Sequence, residues 1–203
     1  MRFRPCQRVK KSSEDFPFSV DPLFRLKSLT VRALWPAEFE RAGRLLDDEP
    51  NSGDLPEGRG LLQGVEDAGR WVALLDWGRA SWKLADRDER IGRTHRQRAD
   101  RLALIVQNRR FLVLSAVRMP NPASRSLALA TKALPRHWEA AQGFAPLMAE
   151  SFTGIDRFEG AAYKAARWQA RGMSKEFRRA GFDYHGRLKK IWLKSLNRNS
   201  LRI

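Results

Sequence analysis

The sequence predicts an α/β domain with a central mixed sheet flanked by helices. Apolar runs of strand length alternate with stretches of helical periodicity, which is the pattern of a sheet covered by helices. Residues 61–77 read as two strands around a short turn, which places a hairpin at one side of that sheet. The chain has 203 residues and 42% hydrophobic content, enough to bury one sizeable core.

Residues 1–33 show little periodicity and are read as a basic N-terminal arm; residues 34–203 are read as a single α/β domain with a basic C-terminal third. Trp35-Pro36 opens a helix, since proline costs nothing at a first helical position, and Phe39, Ala42, Leu45 and Leu46 follow at helical spacing. Asp47 to Gly60 is rich in turn formers and reads as a loop. Leu61–Val65 and Arg70–Trp77 are the hairpin strands, joined through Glu66–Gly69. Ala80–Ala85 reads as a short helix and Asp86–Gly92 as a charged turn. Ala99, Leu102, Ile105 and Val106 predict a helix over residues 96–108. Arg110–Val117 is a continuous apolar run, which suits a strand covered on both faces. Asn121 as N-cap and Pro122 start a helix to about Lys132, Pro135 breaks it, and a second short helix ends at Gly143. Pro146–Phe152 is a strand, Gly160–Arg171 a helix closed by Gly172, and Leu188–Leu196 a final strand. This element order is also the plan of the GCN5-related acyltransferase fold, a likeness of order alone.

Charge is distributed unevenly. The formal net charge is +16. Residues 164–203 carry twelve Lys/Arg against two Asp/Glu, and residues 1–32 carry eight against three. The middle is nearly balanced. A field of this sign attracts polyanions, so DNA is the expected partner. Lys164, Arg167 and Arg171 are spaced for one helix face, with Arg178, Arg179, Arg187, Lys189 and Lys190 following. Trp168 lies among them and is the best candidate for stacking on an unpaired base, against core packing as the ordinary role of a tryptophan. No helix-turn-helix, zinc finger or ribonucleoprotein motif accompanies the charge, so sequence readout is not supported.

No 18-residue apolar stretch is present, and no apolar run follows the charged start, which argues against a membrane span or signal peptide. Cys6 is the single cysteine, which fits a reducing, cytoplasmic setting. His95, His137 and His185 are far apart, so no metal site is expected. The acidic residues Asp86, Asp88 and Glu89 are interleaved with arginines and read as a salt-bridged turn. No phosphate-binding glycine motif or nucleophile elbow occurs. The turn into the Asn121 helix could seat a phosphate or the pyrophosphate of an acyl-coenzyme A on Asn121, Ala123 and Ser124, because helix N-termini bind anions; a plain capped helix is the alternative. Glu150 ends an apolar strand and is a candidate base, or a partner for Arg110; Tyr163 and Ser124 complete the catalytic candidates.

Four segments carry a family resemblance: GRWVALLDWGRASWKLADRDERIG (69–92), RLALIVQNRRFLVLSAVRMPNPAS (101–124), MAESFTGIDRFEGAAYKAARW (148–168) and HGRLKKIWLKSL (185–196). Over about residues 65–196 the chain resembles the Druantia anti-phage protein DruA family, a domain frequently associated with IS4-like transposases. The matching positions include Asn108, Arg109, Asn121, Ser124, Glu150, Tyr163, Lys164 and Trp168. The chain departs from the family pattern at Asn51–Leu55, where a His-Tyr-Leu-Gly stretch is usual, at Arg93 in place of Trp, and at Ala161-Ala162 in place of Thr-Cys. The resemblance implies a DNA-associated accessory protein of a defence system or mobile element, with the departures pointing to a degenerate copy. An acyltransferase-like enzyme using acyl-CoA and a protein-interaction subunit of a helicase or transposase complex are the alternatives.

Overall fold

The hairpin sets the frame of the sheet. The structure, a computed structural model, describes residues 29–47, 60–80, 102–115, 117, 119–155, 159–175 and 188–197. Strands β2 (Leu61–Asp67) and β3 (Arg70–Arg79) pair antiparallel around Ala68-Gly69. Both turn residues have positive φ, 48° and 77°, the two-residue turn whose twist matches paired strands. Strand β1 (Thr30–Ala33) lies outside β2, so the segment read as an arm contributes an edge strand. Pro36–Glu38 forms one 3-10 turn that leads into α1 (Phe39–Asp47), and Glu38 accepts the Trp35 N–H at 2.9 Å, as a capping box requires.

Strand β4 (Ile105–Val113) follows β3 antiparallel, and β5 (Met148–Gly154) pairs with β4 in parallel. Between them runs α2 (Pro122–Gln142). A five-residue helix α3 (Ala161–Ala165) then leads to β6 (Gln169–Lys175) and β7 (Leu188–Ser195). The sheet order is β1-β2-β3-β4-β5-β7-β6. The α/β mixed sheet is therefore as the sequence predicts. Residues 105–108 are strand and not the end of a helix. Their Ile105 and Val106 point into cores on opposite sheet faces, which a helix-spaced reading cannot separate from a buried strand. The strand placed at 110–117 accordingly runs from Ile105 to Val113, and the one placed at 146–152 runs from Met148 to Gly154.

Helix α2 passes through Pro135 without breaking. A mid-helix proline costs about 3 kcal/mol. Leu127, Ala130, Leu134 and Trp138, all buried against the sheet, offset that cost. Gly143 ends the helix at φ 85°, its N–H bonded to Glu139 O at 2.8 Å. Helix α3 stops at Ala165 and not at Arg171. Trp168 N–H bonds Tyr163 O and Arg167 N–H bonds Lys164 O, both at 2.9 Å, with Arg167 at φ 61°. This is a Schellman ending with arginine in the position that glycine usually takes. The chain then leaves as β6. The main core lies between the sheet and α2–α3; a second cluster under α1 joins Leu34, Ala42, Leu46, Leu74 and Leu112. Residues 81–85 of the short helix placed at 80–85, the acidic turn at 86–92 and the start of the 96–108 helix lie outside the described residues.

Candidate functional site at the divergence of two central strands

Strands β4 and β5 stay paired over four residues only, Ile105–Asn108 against Met148–Ser151. Beyond Asn108 and Ser151 they separate. A bulge starts the separation: Asp76 faces Arg110 and Trp77 faces Asn108, so Arg109 has no partner across β3. Arg109 bonds Asp76 Oδ1 at 2.7 Å, and Arg110 bonds Asp47 on α1 at 2.6 Å. The Asp76 side chain is 2% exposed, so this pair sits within the protein. Glycine is required beside it, because a Cβ at Gly78 would stand 2.6 Å from Arg109 Nε.

The vertex of the divergence is held by Tyr163. Its hydroxyl lies 2.8 Å from Ser151 Oγ and donates to Asn108 Oδ1 at 3.2 Å. It thus ties the last paired residue of β5 to the last paired residue of β4. Asn108 Nδ2 donates in turn to Asp76 O and Arg110 O, at 3.2 and 3.0 Å, which bind the bulge to the same network. Burial pushes the Tyr163 phenol up to about 12, against the smaller lowering effect of the Ser151 hydrogen bond. Around the phenol the Trp192 ring stacks at 5.5 Å and the Trp168 ring meets it edge-on at 5.3 Å; Trp168 also stacks on Trp77. Gly160, at φ 77°, starts α3 against Trp192, and a Cβ there would be 2.0 Å from the indole.

The sequence-derived site residues divide among three places. Tyr163 is at the vertex. Glu150 is fully buried, but alternation along β5 puts it on the face opposite Ser151 and Tyr163, with Met148 and Phe152. The expected Glu150–Arg110 pair is not formed, since Arg110 is bonded to Asp47. Ser124 turns its hydroxyl back to Asn121 O at 3.3 Å. Asn121 is the N-cap, but at φ 52° and with no side-chain cap bond, and Ala123 follows it in the first turn. Glu150, Tyr163 and Ser124 therefore do not form one constellation.

The basic candidates are split as well. Trp168 is 4% exposed and stacked within the core, so it does not present a face to an unpaired base. Lys164 and Arg167 are exposed at the end of α3, whereas Arg171 stands on β6 and not on the same helix face. Lys189 and Lys190 lie on β7, where the Lys190 ammonium sits 5.8 Å from the Trp192 ring. Lys194 reaches Ala166 O and Arg167 O at 3.3 and 3.1 Å. Burial, then the Arg167 charge, holds its ammonium below the usual lysine range. Arg178, Arg179 and Arg187 lie outside the described residues. Sequence reasoning missed Ser151, whose only signal was its place beside Glu150, and missed the Asp76–Arg109 pair. Among the described residues no group of three or more His, Cys, Asp or Glu is placed to hold a metal, and no helix is long and apolar enough to cross a membrane.

Residues 61–195 match the family described as Druantia protein DruA. The chain belongs to that family. It is a defence-associated family, and the positions Asn108, Arg109, Tyr163 and Trp168 that carry the resemblance meet at the vertex. No curated protein sequence matches the chain. Among solved structures, spermidine N-acetyltransferase from Vibrio cholerae in an intermediate state aligns with TM-score 0.54 at 12% identity, covering 84% of this chain and 95% of that one. The same enzyme with manganese ions gives TM-score 0.53 at 12% identity over 87% and 98%. A Salmonella typhimurium acetyltransferase that modifies the N-terminal serine of ribosomal protein L7/L12 gives 0.52 at 10% over 84% and 96%. At these identities the likeness shows the fold alone: this family member has an α/β, acyltransferase-like fold.

Such a fold implies acyl-coenzyme A, and the described residues do not fit it. The vertex between β4 and β5 is filled by the Tyr163 phenol and its two hydrogen bonds. At the head of α2 the Ser124 hydroxyl is turned back on the chain, and the left-handed position is taken by Asn121 where a pyrophosphate loop would use glycine.

Proposed function

We propose that this DruA-family chain is a DNA-associated, cytoplasmic accessory protein of an anti-phage defence system, using an acyltransferase-like sheet as a binding scaffold. One observation carries the reading. Lys164 and Arg167 at the end of α3 and Lys190 on β7 stand on the same side of the sheet, the side on which α3 packs against Trp192. They belong to the segment that holds most of the net charge of +16. Guanidinium and ammonium groups so placed contact backbone phosphates and give sequence-tolerant binding. With Trp168 buried, the described part of this surface has phosphate contacts to offer and not base stacking.

The test is a titration of labelled duplex and single-stranded DNA at 50 and 200 mM salt. Three phosphate contacts, from Lys164, Arg167 and Lys190, give a log–log salt slope of about −2.7, or a loss of roughly 40-fold over that range. Alanine at Lys164, Arg167 and Lys190 should lower the slope by about 0.9 for each. An affinity independent of salt overturns the reading. Stabilisation by millimolar coenzyme A would put the acyltransferase reading in its place, since a ligand of the native state must raise stability. A defined complex with a helicase or transposase partner, formed without DNA, would favour the protein-interaction role. The departures at Arg93 and at Ala161-Ala162 support a degenerate copy.

A further inference from the structure

We propose that His137 is an acid-sensitive latch that holds α2 to the β2–β3 hairpin. Gln63 is fully buried on β2 and spans the space between Trp77 on β3 and His137 on α2. Trp77 Nε1 donates to Gln63 Oε1 at 2.9 Å. An indole N–H can only donate, so the orientation of the amide is fixed. Gln63 Nε2 then lies 2.9 Å from His137 Nδ1 and 3.4 Å from Ala130 O. That nitrogen carries only hydrogens, so Nδ1 accepts and the ring proton belongs on Nε2.

Protonation of Nδ1 sets two N–H groups against each other at hydrogen-bond distance. Turning the amide over transfers the same conflict to Trp77. No rotation of Gln63 satisfies an imidazolium and an indole together, so the acid form parts from the hairpin. Among the described residues the elements packed on this face offer it no counter-charge: β1 presents Val31 and Ala33, β2 presents Leu61 and Gln63, β3 presents Leu75 and Trp77, and α3 with its cap presents Tyr163 and Ala166. On α2 itself, the exposed Arg136 Nη2, which can only donate, lies 3.5 Å from the protonated His137 Nε2; it makes no hydrogen bond there, and its charge disfavours the imidazolium. Burial first, and this cation second, hold the imidazole below its ordinary range.

The location gives the latch leverage. Pro135 removes one helical N–H from the middle of α2. Gln63 grips the helix on both sides of that interruption, at Ala130 O and at His137. At its other end Trp77 stacks on Trp168, which meets Tyr163, so the latch and the vertex share one packed row.

Hydrogen exchange of the full chain at pH 7.5 and 5.5, corrected for intrinsic rates, tests this. Amides of residues 127–138 in the native protein should lose protection on acidification by up to about tenfold, the ceiling that one histidine of ordinary pKa in the opened state sets over this interval. His137→Gln should keep its protection, because glutamine does not titrate. Gln63→Leu, useful if the first variant does not fold, should also lose the acid step, since no opposed N–H remains. Nitrogen NMR of the histidine ring should show Nδ1 bare and Nε2 protonated at pH 7.5. Equal acid loss in His137→Gln and the native protein, or a proton on Nδ1, overturns the proposal.

Discussion

Replacing Tyr163 by phenylalanine removes one oxygen atom at the vertex and leaves the ring. The stacking on Trp192 and the edge contact with Trp168 are kept, so the cost is confined to hydrogen bonding. Ser151 Oγ, whose one proton the phenol oxygen and Asn108 O share, keeps Asn108 O as an acceptor at 3.2 Å. Asn108 Oδ1 loses the Tyr163 donor, and the Asn108 side chain is buried. A buried acceptor left without its donor costs about 1–3 kcal/mol. For a chain of this length each kcal/mol lowers Tm by about 2–4 °C, so a loss of about 2 kcal/mol gives a fall of about 4–8 °C. Urea unfolding should show a lower midpoint with an unchanged slope. Tyr163→Phe combined with Ser151→Ala should be non-additive, with a coupling of at least about 0.5 kcal/mol. A Tyr163→Phe protein within about 0.5 kcal/mol of the native one would refute the account of Tyr163 as a strut. The same group gives an alkaline signature. Its folded pKa of about 12 lies above the ordinary tyrosine value of 10, so its contribution is fully present below pH 10 and is lost as pH rises towards 12. Tyr163→Phe should lack that alkaline step.

Gly160→Ala should destabilise by more than about 2 kcal/mol in thermal melts, because the new Cβ meets Trp192 at 2.0 Å on a backbone with φ 77°. Arg109→Met should cost about 3 kcal/mol or more in urea, since Asp76 stays buried with its Arg109 ion-pair partner removed. Arg167→Gly should hold or raise stability, by up to about 1 kcal/mol, while weakening DNA binding, because glycine suits the left-handed Schellman position and carries no charge. The Arg32 guanidinium, then the Trp35 N–H, lower Glu38 to about 2. Its contribution is therefore present above pH 4.5 and lost as pH falls towards 2, by less than about 1 kcal/mol for a pair this exposed. Glu38→Gln should flatten acid unfolding over that window.

The fold class was legible because alternating apolar runs and turn chemistry report burial directly. Ala68-Gly69, Pro36 and Gly143 mark their elements by local backbone rules, and those boundaries were read closely. Pro135 misled because its local cost is smaller than the burial of Leu127, Leu134 and Trp138, which only the folded sheet supplies. The strand β6 was hidden behind an arginine in a glycine position at residue 167. Strand β1 carries Arg32 on a half-exposed edge, where its alternation is too short to register. Of the vertex, Tyr163 was visible as a candidate, but its joining of Asn108 to Ser151 depends on pairing between strands 43 positions apart in the chain. Spacing along a sequence holds no record of such a register. The basic ends were legible as charge, and the burial of Trp168 among them was not.

The four-residue parallel seam has a consequence for how the chain assembles. Strands β1 to β4 are sequential antiparallel neighbours, whereas β5 reaches β4 only after the whole of α2 has crossed the sheet. Closing that crossover fixes a long stretch of chain in return for few ladder bonds, so it is the entropically expensive join of the molecule. The N-terminal meander can gather first on local contacts. The C-terminal strands must then be carried to it by α2, and Tyr163, the last of the three vertex residues along the chain, fastens a junction that the ladder alone holds by four residue pairs.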